Sequence, residues 1–399
     1  MDNQELHNIE SSISTPKATT SAHVVTANSV QAEEVPTIPI ESLQTINTLQ
    51  PEVSIHPVVA TQTVSVSRPL VAQPTEYQRT LTEWIQVWWD GIRPAYLLLA
   101  LLPVLVGSVF AWTHTVSQKS PLGHFHLTHF IVILAAIVLL QAGTNLINDY
   151  YDYLRGTDKM NSFGSSDLIR QRLIKPSHLL TCGLFSLGIG AVLGAVAALQ
   201  GGPLVFVLGA IGLLCGYFYS ATKRSLSSLT LGELVNFWIF GPFITLGAYL
   251  IQTGGVIDRS VILYSLPLGL FAAAVTHVNN MRDVEGDVHA GKRTIATLLA
   301  LRWNRTIFLL LLLAAYAIVI VPALPHGASH WLLITLWTLP SLTVIVTGFV
   351  RTDTPAGLHL TMHKTIRLET YFVLLLVVAL IITALMPLIP HIPTHFLPV

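Results

Sequence analysis

From residue 94 onward the chain is a succession of long apolar runs separated by short polar loops. The runs lie near 94–113, 128–149, 178–199, 203–221, 231–252, 261–281, 305–323, 331–350 and 369–389. Each approaches the roughly 20 residues that cross about 30 Å of hydrocarbon as a helix. The pattern predicts an all-α, polytopic membrane protein with nine transmembrane helices. Just ahead of them, residues 76–90 place Trp84 and Trp88 on one helical face, with Trp89 beside them. Indole rings favour the headgroup region, so this segment is expected to be an interfacial helix. Residues 1–75 are rich in Ser, Thr, Val, Gln and Pro and have no helical periodicity. They are expected to form a disordered cytoplasmic tail, with residues 76–399 as the membrane-embedded domain. The opening MDNQELHNIE lacks the basic start and apolar core of a signal peptide.

Composition agrees with this reading: 52% of the 399 residues are hydrophobic and 11% charged, against about 25% charged in soluble domains. The 21 basic and 21 acidic residues cancel in number but not in position. Through Asp90, ten carboxylates face only Lys17, Arg68 and Arg79; beyond it, eleven face eighteen bases. Those bases cluster in alternate loops: Arg155, Lys159, Arg170, Arg172 and Lys175; Lys223 and Arg224; Arg282, Lys292, Arg293, Arg302 and Arg305; Arg351, Lys364 and Arg367. The intervening loops hold only Lys119 and Arg259. The positive-inside rule then puts the N-terminus and the basic loops in the cytoplasm and the C-terminus outside a cell membrane. The bases form no continuous patch, which argues against nucleic acid as a partner, and nothing implies an obligate protein partner. Cys182 and Cys215 lie in apolar segments and read as packing residues. Eight of sixteen histidines (His114, His124, His126, His129, His326, His330, His391, His395) fall in expected outer segments. They read either as polar filler or as a face that gains positive charge in acid.

Seven of the eleven carboxylates after Asp90 fall in two cytoplasmic loops. In the first, Asn145, Asn148, Asp149 and Asp152 are spaced i, i+3, i+4, i+7 and line one helical face; Asp158 and Asp167 follow. In the second, Asn279, Asp283 and Asp287 form another stripe, flanked by Asn280 and Arg282. Two such stripes at one membrane depth repel each other unless positive charge lies between them. Hard oxygen donors suit Mg²⁺, which is commonly shared with substrate phosphates. With bases following each stripe (Arg155 and Lys159; Lys292 and Arg293), the combination reads as a diphosphate site.

These motifs resemble the UbiA superfamily of intramembrane prenyltransferases. Asn145-x-x-Asn148-Asp149-x-x-Asp152, with Gly156 and Asp158, is similar to the family's first aspartate-rich motif, and Asp283-x-x-x-Asp287 to its second. Tyr219-Ser220-Ala221-Thr222-Lys223-Arg224 is similar to its YxxxKR element. The likeness runs from about Trp84 to the C-terminus. Arg93-Pro94, NDYYDYLRGTD, Leu231-Gly232-Glu233 and NNMRDVEGDVHAGKRT resemble the branch that prenylates 1,4-dihydroxy-2-naphthoate on the way to menaquinone, whereas Ala221-Thr222-Lys223-Arg224 is closer to the 4-hydroxybenzoate type.

The resemblance implies a polyprenyl diphosphate donor, an aromatic acceptor and Mg²⁺. It makes Asp149, Asp152, Asp283 and Asp287 the catalytic metal ligands, with Asn145 and Asn148 assisting. Tyr219, Lys223, Arg224, Asn279, Arg282, Lys292 and Arg170 are the further substrate-binding candidates. Tyr150, Tyr151, Tyr217 and Tyr219 could offer aromatic faces to an allyl cation. The stretch from Asn161 to Arg172 is expected as a lid. Competing classes are a cation-coupled transporter, in which carboxylates tend to lie near mid-bilayer, and a CDP-alcohol phosphotransferase. The latter pattern requires Gly where Tyr153 follows Asp152.

Overall fold

The computed structural model describes residues 79–117, 125–157, 168–222, 225–323 and 330–386. The expected tail, Asp158, Asp167, Lys159, Lys223, Arg224 and most of the expected lid lie outside the described residues. Among the described residues there is no strand; the one bridge joins Leu229 to Arg293.

The first helix, α1 (Leu81–Ile92), begins where Thr80 and Glu83 form a reciprocal capping box. It starts later than the expected 76 and runs two residues past Asp90. Val87 and Trp88 pack inward against Leu146, Leu168 and Leu179, while Trp84 and Trp89 stay exposed. It stops at Arg93, which adopts a left-handed backbone (φ 54°), and Pro94 opens α2 (Pro94–Ser117). Proline suits a first helical turn, where its missing N–H has no partner to lose.

The remaining helices follow in order: α3 (Leu127–Arg155), α4 (Pro176–Gly201), α5 (Pro203–Phe218), α6 (Gly232–Trp238) and α7 (Ile244–Thr253). Then come α8 (Ser260–Arg282), the short α9 (Val284–His289) and α10 (Ile295–Leu298), α11 (Leu301–Ile320), α12 (Leu339–Arg351) and α13 (Pro355–Leu385). A π-helical turn at Ile239–Phe243, containing Pro242, joins α6 to α7 into one 22-residue span. A 3-10 stretch, His330–Thr338, leads into α12.

Eight of these segments are long and apolar enough to cross a bilayer. The element in the place of the fourth expected run, α5, is apolar but only 16 residues long, about 24 Å at 1.5 Å per residue. The last helix also differs from the expected 369–389: it begins at Pro355, where Thr354 caps it by accepting from the Gly357 N–H. Apolar content alone marks only its deeper part, because the first turns carry His359, His363, Lys364 and Arg367.

The core centres on α8, whose Leu268, Phe271, Ala272, Ala274, Val275 and Val278 are fully buried among α2, α7, α11 and α13. Phe271, Tyr316 and Phe372 pack edge-on where α8, α11 and α13 meet. Outward faces of α4 and α5 expose Phe185, Val192, Leu199 and Val207, the arrangement expected of a bundle whose solvent is lipid. Both cysteines are free. Of the histidines expected outside, His126 and His129 stack with ring centroids 4.8 Å apart; most of the others fall outside the described residues.

Candidate active site

The two carboxylate stripes meet at one end of the bundle. The end of α3 delivers Asn148, Asp149 and Asp152, and its C-cap Gly156 takes the left-handed conformation that ends the helix (φ 74°). The end of α8 delivers Asn279, Asn280 and Asp283, and α9 adds Asp287.

A polar cavity of about 50 Å³ lies between them, lined by Arg93, Asn148, Asp152, Tyr219, Asn279, Asn280, Asp283, Asp287 and Lys292 among others. Against it runs a larger, predominantly apolar cavity of about 430 Å³ among α2–α8. Arg93, Asn148, Tyr219 and Asn279 line both. The polar and apolar cavities are therefore neighbours that share a wall, the apolar one running along helices α3, α4 and α5.

Each of the four candidate carboxylates has its own basic partner. Arg93 pairs with Asp149, Arg155 with Asp152 at 3.4 Å, and Lys292 with Asp287 at 3.3 Å. Arg282 clasps Asp283 in bidentate fashion, at 2.7 Å from Nε and 2.6 Å from the terminal nitrogen. Among the described residues, no three His, Cys, Asp or Glu side chains converge on a single point as a finished metal cage.

Burial pushes the Asp287 carboxyl up to about 6, against the opposing pull of Lys292. Burial also disfavours the Lys292 ammonium, but the charges of Asp287, Asp152 and Asp283 outweigh it and raise its pKa. The second oxygen of Asp287, Oδ2, is buried and accepts no hydrogen bond. A buried carboxylate oxygen left without a donor is costly unless a cation meets it, so the donor set fits a hard cation.

Other expected residues have different placements. Asn145 lines the apolar cavity, but its amide donates to the Ile92 carbonyl at 2.7 Å and accepts from Gln141 at 3.0 Å, tying α3 to the end of α1. Arg282 lines neither cavity; besides Asp283 it donates to Asn279 Oδ1 at 2.8 Å, so it holds the second stripe from behind. Arg170 is exposed and lines neither cavity. Tyr150 and Tyr151 pack edge-on against each other, as do Tyr217 and Phe218; only Tyr219 of the four tyrosines lines the cavities.

Three residues absent from the expected set belong to the site's surroundings. Arg93 lines both cavities, and its signal was visible in the Arg93-Pro94 junction. Tyr96 donates to Asn279 Oδ1 at 2.8 Å. Ser220 donates to Asn148 Oδ1, and its backbone carbonyl accepts from Arg155, which binds the loop after α5 to the first stripe.

Comparison with known proteins agrees with this arrangement. Residues 100–362 match the family model described as the UbiA prenyltransferase family. The chain is 29% identical over 298 residues to the 1,4-dihydroxy-2-naphthoate octaprenyltransferase of Bacillus subtilis (strain 168), covering 75% of this chain and 93% of that protein. It is 32% identical over 265 residues to the enzyme of the same name from Mycobacterium tuberculosis, covering 66% of this chain and 86% of that one. In fold it is similar to a UbiA homologue from Archaeoglobus fulgidus solved with DMAPP and Mg²⁺, at 16% identity and a TM-score of 0.50 over 72% of this chain and 98% of that one. A multi-pass helical bundle, paired aspartate stripes at one end of it and a family match over most of its length together show that this chain belongs to the UbiA prenyltransferase family.

Proposed function

We propose that the protein transfers a polyprenyl group from a polyprenyl diphosphate to an aromatic acceptor, 1,4-dihydroxy-2-naphthoate in menaquinone biosynthesis. The observation that carries this reading is the junction of the two cavities. A ligand with an anionic head and a long apolar tail is what a polar cavity set directly against an apolar bore accommodates. The two octaprenyltransferases that the chain resembles support the naphthoate acceptor. The Ala221-Thr222-Lys223-Arg224 stretch favours 4-hydroxybenzoate as the second reading.

In this reading Asp149, Asp152, Asp283 and Asp287 hold Mg²⁺, directly or through water, as the DMAPP- and Mg²⁺-bound homologue supports. When bound, the ion neutralises charge that develops on the departing diphosphate. Lys292 and Arg93, with Lys223 and Arg224, meet the diphosphate oxygens and supply positive charge where negative charge departs. The allylic C–O bond breaks and the diphosphate leaves with the electron pair. The apolar wall keeps water from the resulting cation, and Tyr219 presents an aromatic face to it. A ring carbon of the acceptor then forms the new C–C bond, and loss of a proton or CO₂ restores aromaticity. The prenyl tail lies along the apolar bore.

In this reading the protein lies in the plasma membrane with its N-terminal tail, residues 1–75, and its site in the cytoplasm and its C-terminus outside. The alternation of basic and neutral loops supports that orientation. One assay tests the whole reading: membranes containing the protein, Mg²⁺, a labelled polyprenyl diphosphate and either dihydroxynaphthoate or 4-hydroxybenzoate. A prenylated naphthoquinol precursor is expected. A product from hydroxybenzoate alone reassigns the acceptor, and cation flux without any prenylated product overturns the enzyme.

A further inference from the structure

Behind the second aspartate stripe lies a buried polar chain that the proposed reaction does not use. Glu233, at the start of α6, is within 3.0 Å of the Asn280 amide nitrogen and 3.1 Å of His277 Nδ1, both through the same oxygen, Oε1. His277 Nε2 lies 3.1 Å from the Asn304 backbone carbonyl. The Asn304 side chain in turn donates to the carbonyls of Ala296 and Leu299, both at 3.0 Å. All four side chains are buried, His277 completely.

The protons in this chain are fixed by the partners. A backbone carbonyl only accepts, so His277 Nε2 carries a hydrogen. One further proton lies between Nδ1 and Glu233 Oε1, on one or the other. In both arrangements Oε1 keeps a lone pair toward Asn280, so the atom of Asn280 that faces it is the NH₂. The amide oxygen of Asn280 is thereby left for the polar cavity that this residue lines. Its neighbour differs: the Asn279 oxygen already accepts from Tyr96 and Arg282, each at 2.8 Å.

We infer that Glu233, steadied by His277, is a positioning residue that converts the two-faced Asn280 amide into an oxygen donor pointed at the cation of the site. The inference rests on the metal reading above and adds a ligand oxygen from the second of the paired asparagines. Partners that orient a ligand in this way commonly govern about 10–100-fold of metal affinity.

A nearly isosteric change is therefore informative. In Glu233→Gln, neutral His277 still needs a donor at Nδ1, which the new amide NH₂ supplies. Its second hydrogen then faces Asn280, which must turn its oxygen inward and present NH₂ to the cavity. Asn280→Asp repairs this, since one carboxylate oxygen accepts from the new amide at position 233 and the other faces the cation.

The test is Mn²⁺ binding to the purified full-length protein, with inorganic pyrophosphate present, followed by electron paramagnetic resonance. Glu233→Gln should weaken binding about tenfold, and Glu233→Gln with Asn280→Asp should recover to within about threefold of the parent. Asn280→Ala, which leaves Glu233 intact, should match the loss. Unchanged affinity in Glu233→Gln or in Asn280→Ala overturns the inference, as does a double variant that binds no better than Glu233→Gln. Absence of Mn²⁺ binding by the unaltered protein would instead overturn the metal reading on which the inference stands.

Discussion

The guanidinium of Arg93 closes on the Asp149 carboxylate, joining the α1–α2 junction to the end of α3 across 56 residues of sequence. Asp149 is almost wholly buried, so removing the Arg93 guanidinium withdraws countercharge from a desolvated carboxylate. Arg93→Gln is expected to destabilise the protein by about 3 kcal/mol and to raise KM for the prenyl diphosphate, because the same residue lines both cavities. Thermal unfolding in detergent and steady-state kinetics check the two effects separately.

Truncating the stripes tests the catalytic assignment. Asp149→Ala and Asp283→Ala should each reduce turnover by about 10²–10³, the usual cost of removing a group that stabilises developing charge, while membrane insertion stays intact. Near-normal turnover in either variant defeats the metal assignment.

The raised Asp287 carboxyl sets a pH dependence. Its pKa of about 6 means that the carboxylate form dominates above that pH and is lost as pH falls through it. A cation needs the deprotonated form, so the Mg²⁺ concentration for half-maximal activity should rise about tenfold between roughly pH 7 and pH 5. In Asp287→Asn this part of the pH response should disappear, along with most of the activity.

Tail accommodation depends on small residues in α4 and α5. Gly194 and Gly209 line the apolar cavity, and a Cβ at either meets nothing within 4 Å. A large side chain there fills the bore instead of disturbing the fold. Gly209→Phe should therefore keep activity with geranyl diphosphate and lose about tenfold or more with long polyprenyl donors, as transfer terms of about 0.8 kcal/mol per excluded CH₂ accumulate quickly. Equal rates for both donors in the variant would place the tail elsewhere.

Helix contact in the bundle sets the stability. At Gly107 an added Cβ would collide with the Thr245 carbonyl oxygen, so α2 and α7 pack through a bare backbone face. Gly107→Ala should cost about 1–3 kcal/mol, read as a lowered Tm, whereas Gly188→Ala, with open space around it, should not.

Much of this was legible in the sequence. Long apolar runs have one stable solution in lipid, so the helical bundle followed from hydropathy alone. The Asn148–Asp152 and Asn279–Asp287 stripes were visible because helical spacing converts number into direction. What the sequence concealed depends on which helix stands opposite. Glu233 stands out only within Leu231-Gly232-Glu233, and nothing in the spacing ties it to His277, 44 positions away. Asn145 fitted the first stripe by spacing, yet its amide serves the Ile92 carbonyl. Arg282 read as a diphosphate contact, but it stands behind Asp283. The start of α13 was missed because its first turns are polar, although they pack against the site: His359 Nδ1 lies 3.1 Å from Arg282 and Met362 Sδ 3.1 Å from the Tyr96 hydroxyl.

The one-to-one matching of Asp149, Asp152, Asp283 and Asp287 with Arg93, Arg155, Arg282 and Lys292 has a kinetic consequence. Among these eight side chains the charges already balance, so the set itself adds little long-range pull on a free metal ion or a free diphosphate. Loading is then an exchange of partners in which carboxylates and bases let go of each other together. A dication and a polyanion that arrive as one unit complete the exchange, and either alone strands one half of the set. Order of addition, rather than bulk affinity for either ion, is the property this pairing selects.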